Sequence, residues 1–368
     1  MTIGVLFGGP TPEHDISILT GLQALRELQR AGRDAQGIYW TKTGDFYSVA
    51  GNVEAEAFVD GVPRSSSQVV LRAGDQGGFV TVPGRLAKER RVELEVVVMA
   101  THGGPGEDGT LQGALDLAGV AYTGPNVAGA ALGMDKWAFG AVVAQSGLPT
   151  LPRALLAASS TVIPFEGPYI LKPRFGGSSI GIEVVQDLAT AMARLSTNAH
   201  LSQGCVVEPF RADLGDVQIA VRTYPSLDLS AIEKPIRRSP RAEILNYRDK
   251  YVGGEGMVSA PRELPAVLAP GQAELIQRCA RTLCDVALVR GVARIDFLVN
   301  DDEVFVNEIN TIPGSLSKHL FVAPPLGFIQ LLDDLIDEAI QRPAHTYSAA
   351  GADGLVLRSA GSIAAKLA

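Results

Sequence analysis

Cysteine is scarce in this chain: Cys205, Cys279 and Cys284 are the only three in 368 residues, and no two form a CxxC pair. That excludes a disulfide framework and reads as free thiols in a reducing compartment, packed as small hydrophobes. No basic segment leads into an apolar core and cleavage site at the N-terminus, so a secreted product is not expected. No apolar run approaches the ~20 residues that span a bilayer. Positive charge is not in excess either, with 32 Lys and Arg against 40 Asp and Glu and a net charge of −8. This argues against a nucleic-acid partner held through its phosphates, though a few placed lysines suffice for a nucleotide. No internal repeat is present. What remains is an ordinary globular composition, 46% hydrophobic and 20% charged, long enough for two or three domains. A cytoplasmic protein without membrane or nucleic-acid partners is expected.

The most informative feature is a hairpin near the C-terminal end. Ala293-Arg294-Ile295-Asp296-Phe297 and Val306-Asn307-Glu308-Ile309-Asn310 read as strands, with the polar turn Asp301-Asp302-Glu303 between them. Strand side chains alternate faces, so Arg294 and Asp296 share one side, as do Glu308 and Asn310. A turn centred on Asp302 places Asp296 opposite Glu308 and Arg294 opposite Asn310. Facing carboxylates repel. A solvated hairpin face is the plainer reading, but a hard cation such as Mg²⁺, which takes oxygen ligands, resolves the repulsion.

Strand, glycine turn and helix recur in the first part of the chain. Ile3–Phe7 reads as a buried strand ending at Gly8-Gly9-Pro10, and Ile18, Leu22, Leu25 and Leu28 follow at helical period up to Gly32. A strand is predicted near Gln36–Trp40. The apolar run Leu94–Ala100 then leads into Thr101-His102-Gly103-Gly104-Pro105-Gly106 and a helix over Gly109–Leu117. This order predicts an open parallel sheet with ligands at the carboxyl ends of its strands. Helices are predicted over Met134–Ala144, Leu188–Leu195, Ala273–Leu288 and Leu326–Ile340. Strands are predicted over Tyr169–Leu171, Ile182–Val185, Val206–Glu208 and Val217–Val221. The polar stretch 237–262 reads as a long surface loop, and loops of that length are uncommon without a function.

Lys172-Pro173-Arg174-Phe175-Gly176-Gly177-Ser178-Ser179-Ile180-Gly181 joins two predicted strands. Successive N–H groups in such a turn make an anion-binding concavity, although a plain hairpin loop has the same composition. Lys172 closes a buried strand, and a buried lysine calls for a partner such as a phosphate. Glu208 ends another strand, where it could accept from a ribose or simply lie on an edge.

Taken in order, these segments resemble the D-alanine–D-alanine ligase family of the ATP-grasp superfamily. The matching residues are Leu6-Phe7-Gly8-Gly9 with Glu13-His14-Asp15-Ile16-Ser17, His102-Gly103 with Gly106-Glu107-Asp108-Gly109-Thr110-Leu111-Gln112-Gly113, and Tyr122-Thr123-Gly124 with Met134-Asp135-Lys136. They continue through the Lys172–Gly181 loop, Lys250-Tyr251, Arg294-Ile295-Asp296-Phe297 and Glu308-Ile309-Asn310-Thr311-Ile312-Pro313-Gly314. The resemblance implies an α/β and α+β chain: an N-terminal open parallel-sheet (pre-ATP-grasp, Rossmann-like) domain over 1–125, a central ATP-grasp subdomain over 126–204, a C-terminal one over 205–345 and a tail over 346–368. It implies a ligase in which ATP phosphorylates one amino acid's carboxylate and a second amino acid's amine attacks the acylphosphate. The product would be D-alanyl-D-alanine for peptidoglycan; the same chemistry on another acceptor and a catalytically dead nucleotide-binding protein are the alternatives.

By the same resemblance, Lys136 and Lys172 hold ATP phosphates, Lys250 reaches the transferred group, and Glu208 and Asp216 meet the ribose and adenine. Asp296, Glu308 and Asn310 carry Mg²⁺ or Mn²⁺, and Arg294 stabilises the acylphosphate and oxyanion. Glu13, Ser178 and Tyr251 form a hydrogen-bonded triad, Glu13 fixing the first ammonium and Ser178 the second amine. His102 and Gly314 line the substrate pocket, and the 237–262 loop is a lid. A homodimer is implied by the resemblance alone. The chain departs from the pattern at three places: Asp216 stands for the family's glutamate, Gly140 for a lysine, and His319 for the serine that holds the second substrate's carboxylate.

Overall fold

The computed structural model describes residues 1–74, 76–82, 88–236 and 261–363. The chain opens with β1 (Thr2–Gly8), α1 (His14–Arg30), β2 (Asp34–Trp40), β3 (Phe46–Val49), β4 (Ser67–Arg72), β5 (Gly78–Thr81), β6 (Val96–Met99) and α2 (Thr110–Leu117). These strands form one sheet in the order β5-β4-β3-β2-β1-β6. The expected parallel pairing holds for β1 with β2 and with β6. Beyond β2 the sheet continues antiparallel through β3, β4 and β5: β2–β3 and β4–β5 are joined by short turns, and the longer β3–β4 connection carries only the one-turn 3-10 helix Ala55–Phe58. Helix α1 buries the periodic stripe Ile18, Leu22, Leu25 and Leu28 against this sheet, each worth roughly 1.5–3 kcal/mol. It stops where Gly32 adopts φ +73°, with the Arg33 N–H reaching back to the Leu28 carbonyl.

Next come α3 (Val127–Met134), α4 (Lys136–Gln145), β7 (Ala154–Leu156), β8 (Tyr169–Pro173), β9 (Glu183–Val185), α5 (Leu188–Thr197) and β10 (Cys205–Pro209). The four strands pair antiparallel in the order β7-β10-β8-β9, with the glycine- and serine-rich loop between β8 and β9. The single helix predicted over Met134–Ala144 is broken at Asp135. There the side chain accepts the Trp137 and Ala138 N–H groups and starts α4 afresh, while both its oxygens also meet Arg174.

The remainder comprises β11 (Gly215–Arg222), β12 (Asp228–Leu229), β13 (Lys234–Pro235), β14 (Arg262–Glu263), α6 (Gln272–Val286), β15 (Val292–Val299), β16 (Val304–Asn310), α7 (Phe328–Gln341) and the short α8 (Leu355–Ser359). A second four-stranded sheet runs β12-β11-β15-β16, and β13 pairs with β14 on either side of residues 237–260. The last part of the C-terminal region joins the first core. Ile312, Leu316, Leu320 and Leu331, Leu335 of α7 lie in the same core as Ile3, Leu6 and Leu25. The turn leaving β16 is therefore packed against the first sheet. No helix among the described residues is long and apolar enough to cross a membrane, and the three cysteines are free and buried.

Candidate active site

The hairpin of β15 and β16 pairs Arg294 with Asn310 and Asp296 with Glu308, as the spacing predicts. It reaches that register by a route the spacing does not show. Asn300 accepts the Asp302 and Glu303 N–H groups through its side chain and tightens the turn, so Val299 pairs with Val304 and Phe297 with Val306. Continued without interruption, that ladder would set Asn307 opposite Asp296 and turn Glu308 toward the core. A β-bulge leaves Asn307 unpaired instead and brings Glu308 into line. The bulged residue is then used: Asn307 Oδ1 accepts from Lys172 Nζ at 3.0 Å and its carbonyl from Arg153 at 2.5 Å.

Each carboxylate of the hairpin has a counter-charge. Arg294 donates to both oxygens of Asp296, at 2.7 and 2.9 Å, and Asn310 Nδ2 donates to the same carboxylate at 3.2 Å. Lys136 Nζ, at the start of α4, donates to Glu308 Oε2 and to the Gly176 carbonyl, both at 2.8 Å. Lys136 thus ties the glycine loop to the hairpin. Lys172, at the end of β8, is 6% exposed and lies 2.7 Å from Glu208 Oε2. The other Glu208 oxygen is 2.8 Å from Arg153 Nε. Burial works to raise the Glu208 pKa, but the Lys172 and Arg153 charges outweigh it and hold the carboxyl below its usual range. Glu208 is therefore the centre of a buried ion triad rather than an exposed acceptor at a strand end.

Glu13 stands just before α1 and accepts a hydrogen bond from the Ser178 hydroxyl. Ser178 and Ser179 both have left-handed backbone, φ +52° and +60°, a strained geometry of the kind kept at ligand clamps. Gly177 lets the loop come close to Glu13: a Cβ there would lie 2.8 Å from a Glu13 oxygen and displace that side chain. His102 is buried with both nitrogens occupied: Nδ1 donates to the Ile312 carbonyl at 2.7 Å and Nε2 accepts from Thr20 Oγ1 at 2.8 Å. Burial holds its pKa below the usual histidine range. Glu107 takes the Gly103 and Ile312 N–H groups, each at 2.9 Å. Burial, with Glu13 nearby, pushes its carboxyl up to about 7.

One cavity gathers Glu13, His102, Lys136, Ser178, Arg294, Glu308, Asn310 and Gly314 from the predicted set, together with Glu107. Lys172, Glu208, Asp296, Asp216 and His319 are not part of its lining. Asp216 sits in β11 opposite Leu298 of β15. Lys250 and Tyr251 fall outside the described residues. Glu107, Asn307, Arg153 and Glu233 hold the site together although the sequence motifs give them no role. Glu107 left a signal, an acid set among glycines in a segment already picked out; Arg153 left none.

Two family profiles, "D-ala D-ala ligase N-terminus" and "D-ala D-ala ligase C-terminus", match residues 2–125 and 134–337. The chain belongs to the D-alanine–D-alanine ligase family. A D-alanine–D-alanine ligase of Streptomyces coelicolor is 32% identical, over 93% of each chain. One from a Bradyrhizobium species is 30% identical, over 93% of this chain and 96% of the relative. Among solved structures, the Helicobacter pylori D-alanine–D-alanine ligase superposes with a TM-score of 0.72 at 26% identity, covering 94% of this chain and all of that one. The D-Ala:D-Ser ligase VanG from Enterococcus faecalis gives 0.76 at 25% identity, covering 92% of this chain and 99% of that one. The fold is accordingly that of the ATP-grasp ligases, and ATP is their nucleotide.

In this ligase His319 lies outside the cavity lining. Its Nε2 lies 3.0 Å from Glu233 Oε2, on a buried carboxylate that also takes Gln218 at 2.7 Å and faces Arg262 at 3.1 Å. Arg262 begins β14, directly after residues 237–260. Glu233 therefore connects the base of the expected lid to the turn that follows the hairpin.

Proposed function

We propose that the chain joins two D-alanine molecules at the expense of ATP, as its relatives' names describe, in the step that supplies D-alanyl-D-alanine to peptidoglycan. The observation that carries this reading is the one cavity shared by the glycine loop, Lys136, Arg294, Glu308 and Glu13. It has cations for phosphates, a carboxylate for an ammonium, and a guanidinium next to both.

A carboxylate is a poor electrophile because oxide would have to leave. Transfer of the γ-phosphoryl group to the first D-alanine makes an acylphosphate, and attack by the second amine then expels phosphate. Phosphoryl transfer is mostly positioning and charge stabilisation. Lys136 and Lys172 sit on the two edges of the glycine loop and orient the phosphates. Glu13 holds the first ammonium, and Ser178, already bonded to Glu13, places the second amine. Tyr251 and Lys250, outside the described residues, are assigned to the triad and to the transferred phosphoryl group by the family resemblance alone. Arg294 leaves Asp296 for the oxyanion that forms on amine attack; such donors typically contribute about 10²–10³ in rate. Gly314 lines the same cavity. Glu208 holds Lys172 in place, and Asp216 is assigned to the nucleoside side.

The donor set suits a hard divalent ion: two carboxylates paired across strands and an amide two residues on, all oxygen-bearing, with Arg294 and Lys136 as counter-charges. Asp296, Glu308 and Asn310 would hold Mg²⁺ or Mn²⁺, which neutralises charge on the β- and γ-phosphates. We assign 1–125, 126–204 and 205–345 as the three domains of a cytoplasmic enzyme with amino-acid substrates, working as a homodimer. Phosphate release that requires both Mg²⁺ and D-alanine, with D-alanyl-D-alanine identified by mass, is the expected result. Equal release without any amino acid would remove the ligation step.

A further inference from the structure

The turn that leaves β16 is gripped at three backbone points by the body of the first sheet. Glu107 Oε1 accepts the Ile312 N–H at 2.9 Å, His102 Nδ1 donates to the Ile312 carbonyl at 2.7 Å, and Thr20 Oγ1 accepts the Ser315 N–H at 3.1 Å. The grips are themselves anchored. Glu107 Oε2 takes the Gly103 N–H at 2.9 Å, the Thr311 hydroxyl adds a contact to Oε1 at 3.3 Å, and the Thr20 hydroxyl meets His102 Nε2 at 2.8 Å. One residue is thus held by both its N–H and its C=O, by partners 205 and 210 positions away in the chain.

Ile312 lies two residues after Asn310 and two before Gly314, and both of these line the cavity. The turn beyond is strained: Ser315, Leu316 and Ser317 all have left-handed backbone, with φ of +48°, +49° and +52°. Non-glycine residues keep such geometry only where their surroundings over-determine it. Among the described residues, Glu107 and its two companions supply the side-chain grips on this backbone. We propose that Glu107 is a positioning residue of the ligation reaction: its grip on Ile312 sets where Asn310 and Gly314 stand relative to Glu13 and Ser178. This rests on the ligase reading of the cavity. Both Glu107 oxygens are taken by backbone N–H groups, so it acts through the turn and not on the substrate.

The test compares Glu107→Gln with Glu338→Gln in the full-length protein. Glu338 is also buried and also holds a backbone N–H, that of Gly291 at 2.8 Å, but lies away from the cavity. Glu107→Gln is expected to lower kcat about 10- to 100-fold, the cost of a small misplacement, with the KM for ATP nearly unchanged. Its melting temperature should fall with the lost buried contact, as that of Glu338→Gln does, while amide exchange accelerates selectively at residues 312–315. Glu338→Gln should lower the melting temperature and leave kcat unchanged. Unchanged kcat in folded Glu107→Gln, or a loss matching only its unfolded fraction, overturns the proposal. Should that variant not fold, Thr20→Val removes the Ser315 grip; unchanged kcat and unchanged exchange at 312–315 there overturn it equally. The exchange readout needs no turnover, so failure of the positioning role is distinct from failure of the ligase reading, which shows as no dipeptide from the unaltered enzyme.

Discussion

Asp296 and Glu308 face each other across β15 and β16 because Asn307, one residue before Glu308, is pushed out of the ladder. Two carboxylates opposed in this way repel, and Arg294 and Lys136 offset the repulsion. The cations that answer the hairpin's charge are the same ones proposed for phosphate and acylphosphate, so on that proposal nucleotide and metal would exchange partners within one set of residues.

Asp296→Ala removes one assigned metal carboxylate and frees Arg294 from its bidentate partner. Turnover is expected to vanish while circular dichroism and melting temperature stay close to those of the unaltered protein. Retained dipeptide synthesis would take Asp296 out of the metal set.

Glu208 is the shared anion of Lys172 and Arg153, all three buried. Glu208→Ala leaves two buried cations without their counter-charge, and the expected loss of stability is about 3–5 kcal/mol. Urea denaturation reads this directly as a lowered midpoint at constant slope. A loss well under 1 kcal/mol would mean the triad is already solvated.

Glu107 gives the stability a pH dependence of definite sign. Its folded pKa, pushed up to about 7 by burial and by Glu13, lies above the ordinary 4.5, so between those values the folded chain binds the extra proton. The stabilisation is therefore complete below about pH 4.5 and lost as pH rises through about 7, an amplitude of about 3 kcal/mol. His102, lowered by burial, works in the opposite sense. The readout is accordingly the difference between the unaltered protein and Glu107→Gln, each unfolded in urea from pH 5 to pH 8. A difference that stays flat across this range refutes the assignment.

His319→Ala breaks the contact with Glu233 and loosens the link between the lid base and the turn. The KM for the second D-alanine is expected to rise about tenfold, the value of one lost charged hydrogen bond, with the first D-alanine nearly unaffected. Steady-state analysis that separates the two substrate sites decides it, and equal effects at both sites would place His319 away from the acceptor.

Much of the site could be read along the chain. The pairing of Asp296 with Glu308 follows from side-chain alternation, α1 from its 3.6-residue stripe, and the loop after Lys172 from its glycines and serines. These are local properties, set by a few neighbouring dihedral angles, and neighbours in sequence reveal them. The turn at Asn300, the bulge at Asn307 and the break at Asp135 are not legible along the chain, because side-chain hydrogen bonds to the backbone override a regular period there.

The partners of the buried charges were decided only by packing. Lys172 finds Glu208 and Asn307, Lys136 finds Glu308, and Glu107 with His102 closes on Ile312 from the far end of the chain. Which charge meets which depends on how three sheets stack, and sequence spacing carries no record of that. The amino-acid order determined which groups were present and which faces they shared. The tertiary structure decided which of them meet in one cavity and which, like Glu208, are spent holding another in place, because a buried ion is stable only where folding brings its counter-charge within a few ångströms.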